Sequence, residues 1–153
     1  MSEHIRKSHN VSLLLYHLVC PVKYRKTLFS DVQEVDQEIK NICVEISERY
    51  GDIHFVEIGV DSNHVHFLIQ SVPSISPTNI IKIVKSITAR EIFKRKPSVK
   101  KFLWGGQFWT RGFYINTVGH AANEQTIQNY IKNQGLLNYQ QLHSQQLTLF
   151  EGM

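Results

Sequence analysis

Two histidines one residue apart, His64 and His66, sit inside the run Asp61-Ser62-Asn63-His64-Val65-His66-Phe67-Leu68-Ile69-Gln70. The run reads as a β-strand entered through a tight turn. Side chains alternate across a strand, so His64, His66 and Leu68 share one face and Val65, Phe67 and Ile69 the other. A neutral imidazole is a divalent-metal ligand, and this spacing lets both rings reach one ion. A metal that does chemistry needs a further ligand and open positions. Residues 123–134 read as a helix on which Tyr130 and Gln134, four apart, project from one side. If that side faces the histidines, Gln134 can give the metal a carbonyl oxygen and Tyr130 stands beside it as a nucleophile. Two nitrogens and one oxygen suit a hard ion completed by substrate oxygens, Mg²⁺ or Mn²⁺. Zn²⁺ is less favoured, for want of thiolates or a third histidine.

The elements that must position these groups follow from the pattern of the chain. Residues 1–9 are polar and read as a flexible basic arm. Residues 10–20 (NVSLLLYHLVC) are apolar on both faces, which suits a central strand ended by Pro21. A basic loop follows, with Lys23-Tyr24-Arg25-Lys26. Ser30 and Gln33 form a capping box, and Val32, Val35, Ile39, Ile42, Ile46 and Tyr50 keep a helical period up to Gly51. Residues 53–60 form a second strand, joined to the histidine strand by the turn Asp61-Ser62-Asn63. Ser76-Pro77 opens a helix as N-cap and first residue. That helix runs to about Arg95, with Lys82, Lys85, Arg90 and Lys94 around its polar side. Residues 100–110 are a basic, then aromatic linker, 111–118 a fourth strand, and 136–153 a glutamine-rich tail.

Strand, helix, hairpin, helix, strand predicts an α+β fold, a ferredoxin-like (RRM-like) βαββαβ antiparallel sheet. The first and third strands are central and the helices cover one face. An extra C-terminal helix carries Tyr130. The histidines would then line the opposite, open face. These elements span residues 10–135.

A chain of 153 residues suits one domain with a real core. With 42% hydrophobic and 20% charged residues it is globular, not disordered. The net charge of +4 is compatible with a polyanionic partner. Cys20 and Cys43 fit no disulfide or metal spacing. There is no secretory leader and no run long enough to span a bilayer, so the sequence reads as a soluble, cytoplasmic protein without a membrane partner.

His64-Val65-His66 resembles the HUH motif (histidine, bulky hydrophobe, histidine) of HUH endonucleases. Tyr130-Ile131-Lys132-Asn133-Gln134 resembles the tyrosine-to-glutamine helix of single-tyrosine transposases of small insertion sequences. Tyr16-His17-Leu18-Val19 with the following loop, Gly59-Val60-Asp61, Val84-Lys85-Ser86 and Phe108-Trp109-Thr110-Arg111 are similar too. The order Pro21-Val22 departs from the pattern, outside the chemistry. The resemblance spans roughly residues 10–135. It implies a metal on His64, His66 and Gln134, and attack by Tyr130 on a scissile phosphate. The products would be a 5′-phosphotyrosine and a free 3′-OH, and strand transfer the reverse with another 3′-OH. It also implies single-stranded DNA with hairpins as substrate, and a homodimer. No general base for Tyr130 is evident. Lys23, Arg25, Lys82, Lys85 and Arg90 are candidate phosphate contacts. Tyr24, Phe102, Trp104, Phe108 and Trp109 could stack on unpaired bases, although Trp104 and Trp109 read first as core or dimer contacts.

Other readings stay open at this point. A His-x-His strand is more often structural than metal-binding, and a lysine-rich helix face is by default a solvated surface. A ferredoxin-like sheet can be a non-catalytic nucleic-acid-binding module, although His64, His66 and Leu68 stand where stacking aromatics would be needed. A domesticated nuclease acting on host repeats, or a replication initiator, would keep the chemistry in another role.

Overall fold

The computed structural model describes residues 4–119. Within them the chain forms β1 (Ile5–Arg6), β2 (Val11–Ser12) and β3 (Leu14–Pro21), then a 3-10 turn at Lys23–Arg25. Next come α1 (Leu28–Asp31), α2 (Val35–Arg49), β4 (His54–Val60) and β5 (His64–Ser71). α3 (Pro77–Arg95), α4 (Pro97–Phe102) and β6 (Tyr114–Thr117) complete the order. The main sheet runs β4-β5-β3-β6, with every neighbouring pair antiparallel. The first and third strands of the predicted unit, β3 and β5, are therefore central. This is the ferredoxin-like arrangement that the sequence implies.

Alternation sorts the two central strands. Leu18 and Cys20 of β3 join Val65, Phe67 and Ile69 of β5 in one core with Ile39, Ile42 and Ile46 of α2 and Ile80, Val84 and Ile92 of α3. These positions are 2% exposed or less. Each fully buried branched side chain contributes about 1.5–3 kcal/mol as an upper figure. Leu15 and Leu68 point to the other face, packed with Leu13, Val56 and Val118. The helices are also tied to each other at the surface. Arg95 at the end of α3 meets Glu38 and Glu45 of α2 at 3.3 and 2.8 Å, and its own Glu91 at 3.1 Å.

The structure corrects several local expectations. Ser30 and Gln33 do not cap one long helix. The chain makes α1, passes through extended Val32 and left-handed Glu34 (φ 69°), and starts α2 afresh with no side-chain cap. α1 is pinned elsewhere, by the Phe29 N–H donating to the Ser62 carbonyl at 3.0 Å. Part of the predicted 100–110 linker belongs to α4, which Pro97 opens. Within the predicted arm, β1 pairs with β2 through Ile5–Ser12 and Arg6–Val11, and Lys7 reaches Asp52 at 2.6 Å. The start of α3 is as expected: Ser76 Oγ accepts from the Asn79 N–H at 3.1 Å, and Pro77 follows the cap.

Candidate active site

The register of β3 on β5 sets Pro21 opposite His64, Val19 opposite His66 and His17 opposite Leu68. Cross-strand partners share a face, so His17 joins the two predicted histidines on the side away from the helices. The turn that launches β5 is held by backbone bonds. Asp61 N–H donates to the His64 carbonyl at 2.9 Å, and Val22 N–H to the Asn63 carbonyl at 2.8 Å. Ser62 N–H adds a bond to Asp61 Oδ1 at 2.7 Å.

The three imidazoles form a chain. His64 Nε2 and His66 Nε2 are 3.2 Å apart. His66 Nδ1 lies 2.9 Å from His17 Nε2, and the two rings stack at 5.1 Å. His64 Nδ1 lies 2.7 Å from Asn63 Oδ1. Burial lowers the His17 pKa to about 4, so this ring is neutral at pH 7 and its Nε2 can accept a hydrogen bond. When His17 and Asn63 accept from the two Nδ1–H groups, both Nε2 lone pairs are left facing each other. A ligating histidine is held in this way, through a bond from its other nitrogen.

The residues fit a divalent ion. Two nitrogens bound at about 2.1 Å on one ion stand about 3.0–3.4 Å apart at right or tetrahedral angles, which brackets the 3.2 Å found. Asp61 Oδ2 lies 3.7 Å from His64 Nε2, beside the pair. Among the described residues no group of three or more His, Cys, Asp or Glu is placed to hold an ion. Tyr130 and Gln134, with the helix that carries them, lie outside the described residues.

Two expectations change here. His64 and His66 are on the predicted face, but that face is not open at them, since both are 0% exposed. On the sheet Val19 pairs with His66 and Leu68 with His17, and Tyr114 of β6 meets His17 edge-on at 6.2 Å. The sequence alone marks His17 as a strand-borne, structural histidine within reach of the site and Asn63 as a turn residue; the register puts His17 in phase with the face that the histidine pair uses.

The candidate phosphate contacts do not form one patch. Lys23 and Arg25 lie in the turn just after β3. Lys82 is exposed on α3, and one turn on, Lys85 is half-buried. Its ammonium donates to the carbonyls of Thr110 and Arg111 at 2.8 and 3.3 Å. Burial lowers its pKa, an effect larger than the opposing influence of Cys20. Lys82 and Lys85 line one groove with Trp109 and Arg111. Arg90 lies against α2 instead, beside Glu45 and Glu91. The aromatic candidates divide too. Phe108 and Trp109 are core, and Trp109 Nε1–H donates to Thr88 Oγ1 at 2.9 Å. Phe102 is half-buried, whereas Tyr24 and Trp104 are 64% and 80% exposed.

Comparison with known proteins places the chain among relatives. The family model described as "Transposase IS200 like" matches residues 10–134. The ISDra2 transposase TnpA of Deinococcus radiodurans is 35% identical over 121 residues, covering 79% of this chain and 84% of that protein. The transposase of insertion sequence element IS200 from Salmonella typhimurium is 28% identical, covering 78% of this chain and 75% of that protein. A proposed transposase from Deinococcus radiodurans R1, solved by crystallography, superposes with a TM-score of 0.67 at 32% identity, over 85% of this chain and 97% of that one. A REP-associated tyrosine transposase bound to a REP hairpin shares the fold at a TM-score of 0.52 and 10% identity, over 86% and 70% of the two chains.

Proposed function

The chain belongs to the IS200-like transposase family, and from that premise we propose that it is a metal-dependent single-stranded DNA endonuclease and strand transferase. It excises and inserts an insertion sequence through a 5′-phosphotyrosine intermediate. The observation that carries this reading is the pair of Nε2 atoms 3.2 Å apart, each ring held from behind through its Nδ1. In the tautomers in which Asn63 and His17 both accept, the two inner nitrogens turn their lone pairs toward one point between them.

His64 and His66 hold Mg²⁺ or Mn²⁺, and Gln134 adds a carbonyl oxygen. When bound, the ion polarises the scissile phosphate and fixes its orientation. Tyr130 supplies the nucleophile: its phenolic oxygen bonds to phosphorus, the P–O3′ bond breaks, and a proton ends on the released 3′ oxygen. Attack by another 3′-OH on the phosphotyrosine reverses the step and restores the phenol. Bond energy is conserved in the ester, so no nucleotide cofactor is consumed. Lys23, Arg25 and Lys82 neutralise phosphates of the strand. Lys85 and Arg90 contribute less, because carbonyls hold the first and acidic neighbours surround the second. Hairpins near the element's ends are the proposed recognition feature, a cytoplasmic homodimer the proposed working form.

The test is covalent capture. Full-length protein is incubated with a pool of single-stranded DNA hairpins with randomised flanks and Mn²⁺, then run on a denaturing gel. A protein–DNA adduct that needs metal and is lost in Tyr130→Phe is the expected result. Hairpin binding without an adduct, unchanged in His64→Ala, would overturn the nuclease reading in favour of a binding module.

A further inference from the structure

We propose that Tyr24 and Trp104 form a base-stacking platform that grips unpaired nucleotides of single-stranded DNA beside the histidine pair. The proposal rests on the reading of this protein as one that acts on single-stranded DNA, and it adds where the strand is held.

Four large hydrophobic side chains are exposed among the described residues, and Tyr24 and Trp104 are the two aromatic ones. The loops that carry them are joined. Lys26, two residues after Tyr24, holds its ammonium 4.1 Å from the Trp104 ring centre and 4.8 Å from that of Phe102. The same ammonium donates to the Phe102 carbonyl at 2.7 Å, so it is anchored and props the indole. Lys23 stands 5.2 Å from the Tyr24 ring centre. Trp104 thus has a cation against it, yet 80% of the residue still meets solvent.

Both rings are also held outward by unusual backbone. Tyr24 (φ 61°) and Trp104 (φ 58°) occupy the left-handed region, which side chains other than Gly and Asn rarely adopt. Trp104 follows the end of α4, where glycine is the usual residue, although Gly105 and Gly106 stand next in the chain. A core does not demand an aromatic there, because neither ring is in the core.

The location and charge select the occupant. Pro21, which starts the loop, pairs with His64. Val22 N–H donates to the Asn63 carbonyl and Lys23 N–H to the Phe108 carbonyl, so the loop is bonded both to the turn before His64 and to the segment after Trp104. Residues 20–30 and 96–111 contain no Asp or Glu, and they hold Lys23, Arg25, Lys26, Lys96, Lys100, Lys101 and Arg111. Exposed aromatic faces among cations match unpaired bases on a phosphate backbone. A duplex offers phosphates, but not free base faces.

The experiment is fluorescence anisotropy of full-length protein with a labelled oligothymidine and a duplex of equal length, in EDTA. The variants are Trp104→Gly, Tyr24→Asn and Trp104→Phe, the first two chosen because they relieve the backbone. Trp104→Gly and Tyr24→Asn are expected to weaken oligothymidine binding at least about fivefold each, the low end for base–aromatic stacking. They should melt no lower than wild type and bind duplex within twofold of it. Trp104→Phe should keep most of the affinity. The platform is overturned by any of four results: no oligothymidine binding by wild type, oligothymidine affinity within twofold of wild type in both variants, equal losses on duplex, or losses that track a change of oligomeric state in light scattering. An oligouridine bound tighter than oligothymidine would overturn the assignment to DNA. The nuclease reading fails separately: aromatic-dependent binding without a Tyr130 adduct leaves the platform standing, and an adduct with no aromatic dependence removes the platform alone.

Discussion

Replacing His17 by leucine tests whether the imidazole chain serves a metal. The side chain is 2% exposed and its Nε2 lies 2.9 Å from His66 Nδ1. Without metal, His17→Leu costs little in hydrogen bonding, because His66 can carry its proton on Nε2 and donate to His64 Nε2 at 3.2 Å. With metal, that Nε2 must be bare, the proton sits on Nδ1, and leucine takes away the acceptor that His17 places 2.9 Å from it. Losing a hydrogen bond at a buried polar group costs about 1–3 kcal/mol. At 1.4 kcal/mol per tenfold that is about 5- to 150-fold in the metal dissociation constant, which contains the 10- to 100-fold common for losing a partner behind a ligating histidine. Calorimetric titration of Mn²⁺ into metal-free protein measures it directly. Thermal melts with and without Mn²⁺ show that the variant folds and that its deficit appears chiefly in the metal-bound state. His17→Gln, which restores an oxygen acceptor, should recover most of the affinity. A folded His17→Leu whose Mn²⁺ affinity stays within twofold of wild type would refute the reasoning, and so would equal losses in the leucine and glutamine variants.

Four further outcomes are expected. Burial raises the Cys20 thiol to about 12 and Cys43 further, so iodoacetamide at pH 8 should label neither until the protein unfolds. The unfolded thiols ionise near 9 while the folded ones keep their protons; stability is therefore present below pH 9 and falls as pH rises beyond it, which denaturation midpoints at pH 8 and 10 would show. Arg95→Ala removes bonds to Glu38, Glu45 and Glu91; solvent screens this cluster, so the melting point should fall by only a few degrees. Thr88→Val, nearly the same shape, deprives the buried Trp109 N–H of its acceptor and should cost about 1–3 kcal/mol in urea unfolding.

The parts of this molecule legible in the sequence are those with a period. Alternation in β5 separated Val65, Phe67 and Ile69 from His64 and His66, and the core divides along that line. Spacing in α2 gave Ile39, Ile42 and Ile46. Ser76-Pro77 gave the start of α3. What stayed illegible depends on partners distant in the chain. α1 ends where the chain turns through extended Val32 and left-handed Glu34, a break that the apparent capping box at Ser30 and Gln33 does not announce. Lys85 looks like any surface lysine until the loop carrying Thr110 folds over it. His17 is 49 residues from His66, and only the strand register makes them neighbours.

That register also explains why the histidine pair can be set before any ligand arrives. A slip of one residue between β3 and β5 would send both imidazoles into the helix-packed core. Phe67 and Leu18, paired across the strands and both 0% exposed, oppose such a slip, since it would exchange them for His66 and Val19 or their neighbours. The turn adds a second lock: the Val22 and Phe29 N–H groups bond the Asn63 and Ser62 carbonyls, fixing where β5 begins. Strand pairing places the ring roots, and Asn63 and His17 then set the ring directions. The apolar face of β5 thus supplies the stability that keeps two polar groups buried at a fixed 3.2 Å on the other. On the proposed reading, a metal ion bound at a pair so prepared would cost little for ordering the two histidines. Its affinity should accordingly depend more on His17 and Asn63, which aim the rings, than on any exposed charge nearby.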